Sequence, residues 1–155
     1  MPTNIFVSFD HDDQEQVSGF KSLKNNPNHN LEFNDHSLKE PVKDINGNPI
    51  IYDPGDTRSK PVRDEILKRF ESCSKLVVLI GENTHTSKWV DWEINSFYKM
   101  KYEISGENTW KRIRGMTLKG SDYVKFPNAL VKKSVIPMKW DPDKLDEWLC
   151  QNPNS

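Results

Sequence analysis

Apolar residues follow two rhythms along the chain. Short unbroken runs, Ile5-Phe6-Val7 and Leu76-Val77-Val78-Leu79-Ile80, alternate with stretches in which apolar residues recur every three or four positions. The first rhythm predicts strands covered on both faces, the second amphipathic helices. Asn4 to Phe9 is expected to be the first strand, followed after an acidic turn by a helix carrying Val17, Phe20 and Leu23 and ending near Asn25. Leu31-Glu32-Phe33 is a short second strand. A helix opens at Ser59 and Pro61, buries Val62, Ile66, Leu67 and Phe70, and ends near Ser74. The Leu76–Ile80 strand leads through polar turn residues into a helix over about 88–102, with Thr84, Thr86 and Ser87 as candidate N-caps. Residues 112–118 read as a fourth strand and 134–137 as a short last one, with Pro137 placing it at an edge. A final helix starts at Asp141-Pro142 and packs through Leu145, Trp148 and Leu149. Alternating strands and helices of this kind predict a flavodoxin-like open parallel sheet of about five strands with helices on both faces.

Between Asp35 and Lys60 the pattern is irregular. Asn46-Gly47, Asn48-Pro49 and Asp53-Pro54-Gly55 are turn signals, and Ile50-Ile51-Tyr52 reads as a small flap or strand over a site. Loops this long are usually functional or mobile.

Composition narrows the class. At 155 residues the chain is expected to form one domain over 1–155, and a net charge of −1 implies no polyelectrolyte partner. No apolar run is long enough to span a bilayer, and the first residues lack the pattern of a secretory signal. Cys73 and Cys150 read as reduced thiols of a cytoplasmic protein. The four histidines follow no metal-ligand spacing, so no metal site is expected.

One residue is out of place. On the helix after Ile80, Glu93 lies within about 60° of Trp89, Val90, Phe97 and Met100, inside the apolar stripe. Desolvation there would raise its pKa toward neutrality, as suits an acid or base, although pairing with Lys101 would make it structural. In open α/β sheets ligands bind beyond the carboxyl ends of the strands. That rule gathers three segments, from Phe9 to Asp13, from Asp35 to Ser37 and from Gly81 to Glu93. Asp10, His11, Asp35, His36, Ser87, Trp89 and Glu93 then meet near one crevice. The plainer roles are helix caps for Asp12 and Asp13 and surface loop positions for His11 and His36.

Three pieces resemble a known family. The first strand reads IFVSFDHDD, the segment after the second strand begins DHS, and the third strand leads into SKWVDWEI. This resembles the TIR-like domains of bacteria, and among them the TIR-like component of the Thoeris anti-phage system. Ser87, Trp89, Val90 and Glu93 stand in register with that family's Ser-x-Trp-(Cys or Val)-x-x-Glu motif. The resemblance implies cleavage of the nicotinamide–ribose bond of NAD+, with Glu93 as the catalytic glutamate. It also implies release of a cyclic ADP-ribose isomer that carries a diffusible signal to a separate effector. NAD+ is then substrate, and no cofactor is expected. Phe9 and Trp89 would wall the nicotinamide, and Asp10, His11 and His36 would contact ribose or phosphate. Control by self-association or by a phage trigger is implied as well. The Asp35–Lys60 insert departs from the family pattern and puts substrate access in question.

Three other readings compete. A non-catalytic TIR-like interaction or sensor module would pair Glu93 with a lysine and have no pocket beside it. A receiver-like phosphoacceptor would use Asp10, Asp12, Asp13 and Lys139, but its third strand ends Ile80-Gly81-Glu82, without an aspartate to phosphorylate. Nucleic acid could meet seven Lys/Arg between Lys111 and Lys133, set against Asp122 alone with Trp110, Tyr123 and Phe126 interleaved. A solvated face explains that segment better, and no nucleic acid is expected.

Overall fold

The computed structural model describes residues 2–152. Four strands, β1 (Thr3–Ser8), β2 (Phe33–Asp35), β3 (Lys75–Ile80) and β4 (Ile113–Thr117), form one parallel sheet in the order β2-β1-β3-β4. Ser8 lies opposite Val78, and Ile80 opposite Thr117. Helices α1 (Gln14–Ser22), α2 (Lys60–Glu71), α3 (Lys88–Ser105), α4 (Asn128–Lys132) and α5 (Pro142–Leu149) fill the connections. The open parallel α/β architecture expected from the pattern is therefore present.

Alternation along the strands divides the core in two. Phe6, Leu76, Val78 and Ile80 face α2, α3 and α4, where they meet Ile66, Phe70, Ile94 and Phe97. Ile5, Val7, Val77 and Leu79 face α1 and α5, meeting Phe20, Leu145 and Trp148. Successive residues of a strand point to opposite faces, so each buried strand supplies both cores.

Two strand expectations need correction. The second strand is Phe33–Asp35 rather than 31–33; Leu31 is buried, but as the approach to the strand. The fifth strand over 134–137 does not form. Ser134 has φ 56° and Pro137 has no N–H to give, so an extended, paired run is interrupted at both ends. What remains is one parallel bridge between Met116 and Met138, in which the Met138 N–H donates to Gly115 O at 2.8 Å. Gly115 permits this close approach: a Cβ there would stand 3.1 Å from the Leu130 and Pro137 side chains.

The irregular 35–60 segment contains a small hairpin. Lys43 bridges Pro49 in antiparallel fashion, and Gly47 turns the chain at φ 81°. Asp44 Oδ1 accepts from the Asn46 and Asn48 N–H groups at 2.9 and 3.0 Å. The flap or strand expected at 50–52 is not a strand; these residues follow the hairpin as an irregular stretch. Ile50 packs on the core, whereas Ile51 is 84% exposed. Among the described residues no helix is long and apolar enough to cross a membrane, and both cysteines are free.

Candidate functional site

Helix α3 begins where its sequence allows. The Ser87 hydroxyl accepts from the Val90 N–H at 3.2 Å, satisfying one of the free donors of the first turn. From that start, Val90, Ile94 and Phe97 turn into the core, and Glu93 turns with them. Its side chain meets the carboxyl end of β1, where the Ser8 hydroxyl donates to Glu93 Oε1 at 2.8 Å. Among the described residues no basic group lies within ion-pair distance of Glu93. Lys101, one candidate partner, lies instead over the Phe97 ring.

Glu93 is 8% exposed, and the exposed part faces a cavity of about 360 Å³. That volume falls in the range of about 300–1,000 Å³ usual for small-molecule sites. Phe6, Val62, Ile66 and Ile50 give it an apolar wall, to which Phe9 and Trp89 add aromatic rings. Polar groups are few: His11 and Gln14 after β1, Ser37 after β2, and Lys39 and Glu40 on the rim. Burial pushes the Glu93 carboxyl up to about 8, against the Ser8 hydrogen bond, which favours the charged form.

Of the candidate residues, Phe9, His11, Trp89 and Glu93 are brought together around this cavity. The other four do not line it, and each has a local task. Asp10 caps the turn at His11–Asp13 by accepting from the Asp12 N–H at 2.9 Å. Asp35 pairs with Lys21 at 2.8 Å and accepts from the Ser37 N–H at 2.9 Å. Burial alone would raise the Asp35 pKa, but these partners outweigh it and hold the carboxyl below its usual range. The His36 carbonyl accepts from Arg69, which also binds the Ser37 carbonyl. Ser87 is the helix cap already described.

The pattern of the chain did not single out Ser8, Gln14 or Lys39, and it gathered Ser37 only as the end of the Asp35–Ser37 segment. Ser8 alternates with buried Val7 and reads as an ordinary strand residue. Only a strand position directly before an acidic turn, at the end where ligands collect, could have marked it. Ser37 is buried and braces the wall, accepting from the Val7 N–H at 2.7 Å. The hairpin side is tied down by Trp89 Nε1, which donates to the Tyr52 carbonyl at 3.0 Å, and by Lys88, 3.1 Å from Asp53. Among the described residues no group of three His, Cys, Asp or Glu side chains is placed to hold a metal ion.

A parallel sheet of this order, with Glu93 brought to the carboxyl end of its strands by a Ser-x-Trp helix start, fits the TIR-like domain that the motif resembles. The family model of the Thoeris protein ThsB, TIR-like domain, matches residues 6–113, more than two thirds of the chain, and the chain belongs to that family. The matched stretch contains every residue that lines the cavity. Among solved structures the chain is similar to the TIR domains in the activated Roq1 resistosome directly recognizing the pathogen effector XopQ. That likeness has 14% identity and a TM-score of 0.46, and covers 74% of this chain and 57% of the other. The chain thus spans little more than half the length of that relative, and no residue role is carried across. No curated protein matches.

Proposed function

We propose that this anti-phage TIR-like module cleaves the nicotinamide–ribose bond of NAD+ and closes the remaining ADP-ribose into a cyclic isomer that signals to a separate effector. The observation that carries this reading is Glu93: a desolvated carboxylate on a cavity wall with one hydrogen-bond donor and no basic partner among the described residues.

The chemistry suits a lone carboxylate. The C1′–N bond breaks with both electrons leaving on nicotinamide, which departs neutral and needs no strong general acid. Positive charge develops on the ribose, as in glycoside hydrolysis. An ionised Glu93 beside the ribose stabilises that charge from a largely apolar wall, where an electrostatic interaction is stronger than in water. A hydroxyl or ring nitrogen of the same dinucleotide then forms the new bond to C1′, an attacking hydroxyl losing its proton to solvent. Water in that role would give linear ADP-ribose instead. Phe9 and Trp89 supply flat apolar walls for the nicotinamide, and His11 and Lys39 offer donors for ribose and phosphate oxygens.

The test is mass spectrometry of NAD+, nicotinamide and cyclic ADP-ribose isomers in cells with and without phage, for the parent chain and Glu93→Gln. The expected result is a cyclic isomer formed on infection by the parent and lost by at least about 10²-fold in the variant, the scale for removing one preorganised electrostatic group. No difference between two folded proteins would overturn the assignment.

A further inference from the structure

Glu93 has one oxygen engaged and one free. Oε1 accepts from Ser8, and among the described residues no other hydrogen bond reaches the carboxyl group. The donor is itself held in place. Ser8 is the last residue of β1, paired in register with Val78, and its side chain is almost fully buried. The groups facing Glu93 from the surrounding elements are few. After β1 come Phe9 and His11, and α1 begins with Gln14. The segment after β2 brings Ser37, Lys39 and Glu40, α2 contributes only Val62 and Ile66, and α3 adds Trp89. None of these makes a hydrogen bond or ion pair to the carboxyl group.

We propose that Ser8 is the positioning residue of this site: its hydroxyl anchors Oε1 at the end of β1 and so fixes how the Glu93 carboxyl group is presented on the cavity wall. The inference rests on the reading of Glu93 as the group that meets the substrate. Its physical basis is local. A hydroxyl that donates to a carboxylate stabilises the charged form, and in a desolvated site it is the main influence opposing protonation. A buried serine with a merely structural role would leave the titration of Glu93 unchanged when its hydroxyl is removed.

The experiment follows the Glu93 carboxyl carbon by ¹³C NMR across pH in the unliganded protein, for the parent, Ser8→Ala and Ser8→Cys. A hydrogen bond to a charged group is lost in Ser8→Ala, so the Glu93 midpoint is expected to move up by about one pH unit or more. Ser8→Cys, nearly the same shape with a weaker donor, is expected to fall between the other two. It also serves as the second variant if the alanine form does not fold. The rising limb of kcat/KM against pH for NAD+ should shift by the same amount, with KM for NAD+ little changed. Midpoints that coincide in a folded variant and the parent would overturn the role of Ser8. A parent without activity on NAD+ whose Glu93 midpoint still moves on substitution would remove the functional reading and leave the anchoring of Glu93 by Ser8 standing.

Discussion

Two ionisable side chains are buried at opposite ends of β3, and their environments diverge. Glu93 meets the carboxyl end of the sheet; Lys75 opens β3 at the amino end and is 1% exposed. Burial moves both toward neutrality, Glu93 up to about 8 and Lys75 down to about 8. Lys75, however, has its donors engaged. Its Nζ donates to the Trp148 and Gln151 carbonyls at the end of α5 and lies 4.5 Å from the centre of the Trp148 ring. It braces the end of that helix, joining the Trp148 carbonyl, which also accepts from the Gln151 N–H, to the Gln151 carbonyl. Among the described residues Glu93 has one donor, on Oε1, and its carboxyl group lines a cavity. A displaced pKa by itself therefore does not mark a functional group. Unspent hydrogen-bonding capacity beside an open volume is what makes Glu93, and not Lys75, the candidate.

The sharpest way to break this comparison is activity. Glu93→Gln should lose the NAD+-dependent product by at least about 10²-fold, whereas Lys75→Ala should keep the kcat/KM of the parent in the folded fraction. A Lys75 variant that folds but is inactive would erase the distinction.

Stability should separate the two residues in sign. Glu93 titrates near 8 in the folded chain against 4.5 for the free group, so between these values the folded state holds a proton that the unfolded state has released. Its contribution to stability therefore falls as pH rises from about 4.5 to about 8 and is lowest above that. Glu93→Gln removes the slope, and chemical denaturation at pH 8.5 should find the variant more stable by at most about 5 kcal/mol. Lys75→Ala should instead lose about 2–4 kcal/mol, because it leaves a cavity and removes the side-chain donor to the Trp148 and Gln151 carbonyls.

The pH dependence of catalysis sharpens the contrast further. If the ionised carboxylate is the working form, kcat/KM for NAD+ should rise with pH through a midpoint near 8, the value for Glu93 in the free protein, and level off above it. The corresponding limb of kcat should lie at lower pH, since the cationic nicotinamide ring favours the charged carboxylate. Identical limbs would argue that the ring does not sit beside Glu93.

The smallest effect concerns the hairpin. Trp89→Phe keeps the aromatic wall and removes the donor to the Tyr52 carbonyl. Exchange of the Ile50 amide, bonded to the Val42 carbonyl, should then accelerate by about fivefold, roughly 1 kcal/mol. Unchanged protection would mean that Lys88–Asp53 and the Arg63 contacts to the Pro54 and Asp56 carbonyls hold the segment alone.

Much of the site was legible because its signals are local. An anomalous carboxylate in a helical apolar stripe is visible from a repeat of 3.6 residues, and the Ser87 cap from its place before that stripe. Asp35 and His36 were gathered into the crevice because they follow a strand at the expected end. Neither side chain lines the cavity, since Lys21, a helix away, claims the Asp35 carboxylate. The fifth strand reads well in Val135-Ile136, yet the conformation at Ser134 and the missing N–H of Pro137 prevent it.

The order of apolar and polar residues by itself determined that strands and helices alternate, that the sheet is parallel and that Glu93 turns inward. Those properties depend on periodicities within one element and on connections long enough to cross over. Only the tertiary structure decided which donor meets that carboxylate, because Ser8 and Glu93 are 85 positions apart. Their hydrogen bond exists only once β1 has paired with β3 and α3 has packed across the sheet. The fate of Asp35 and the depth of the cavity were settled the same way, by partners that folding alone brings near.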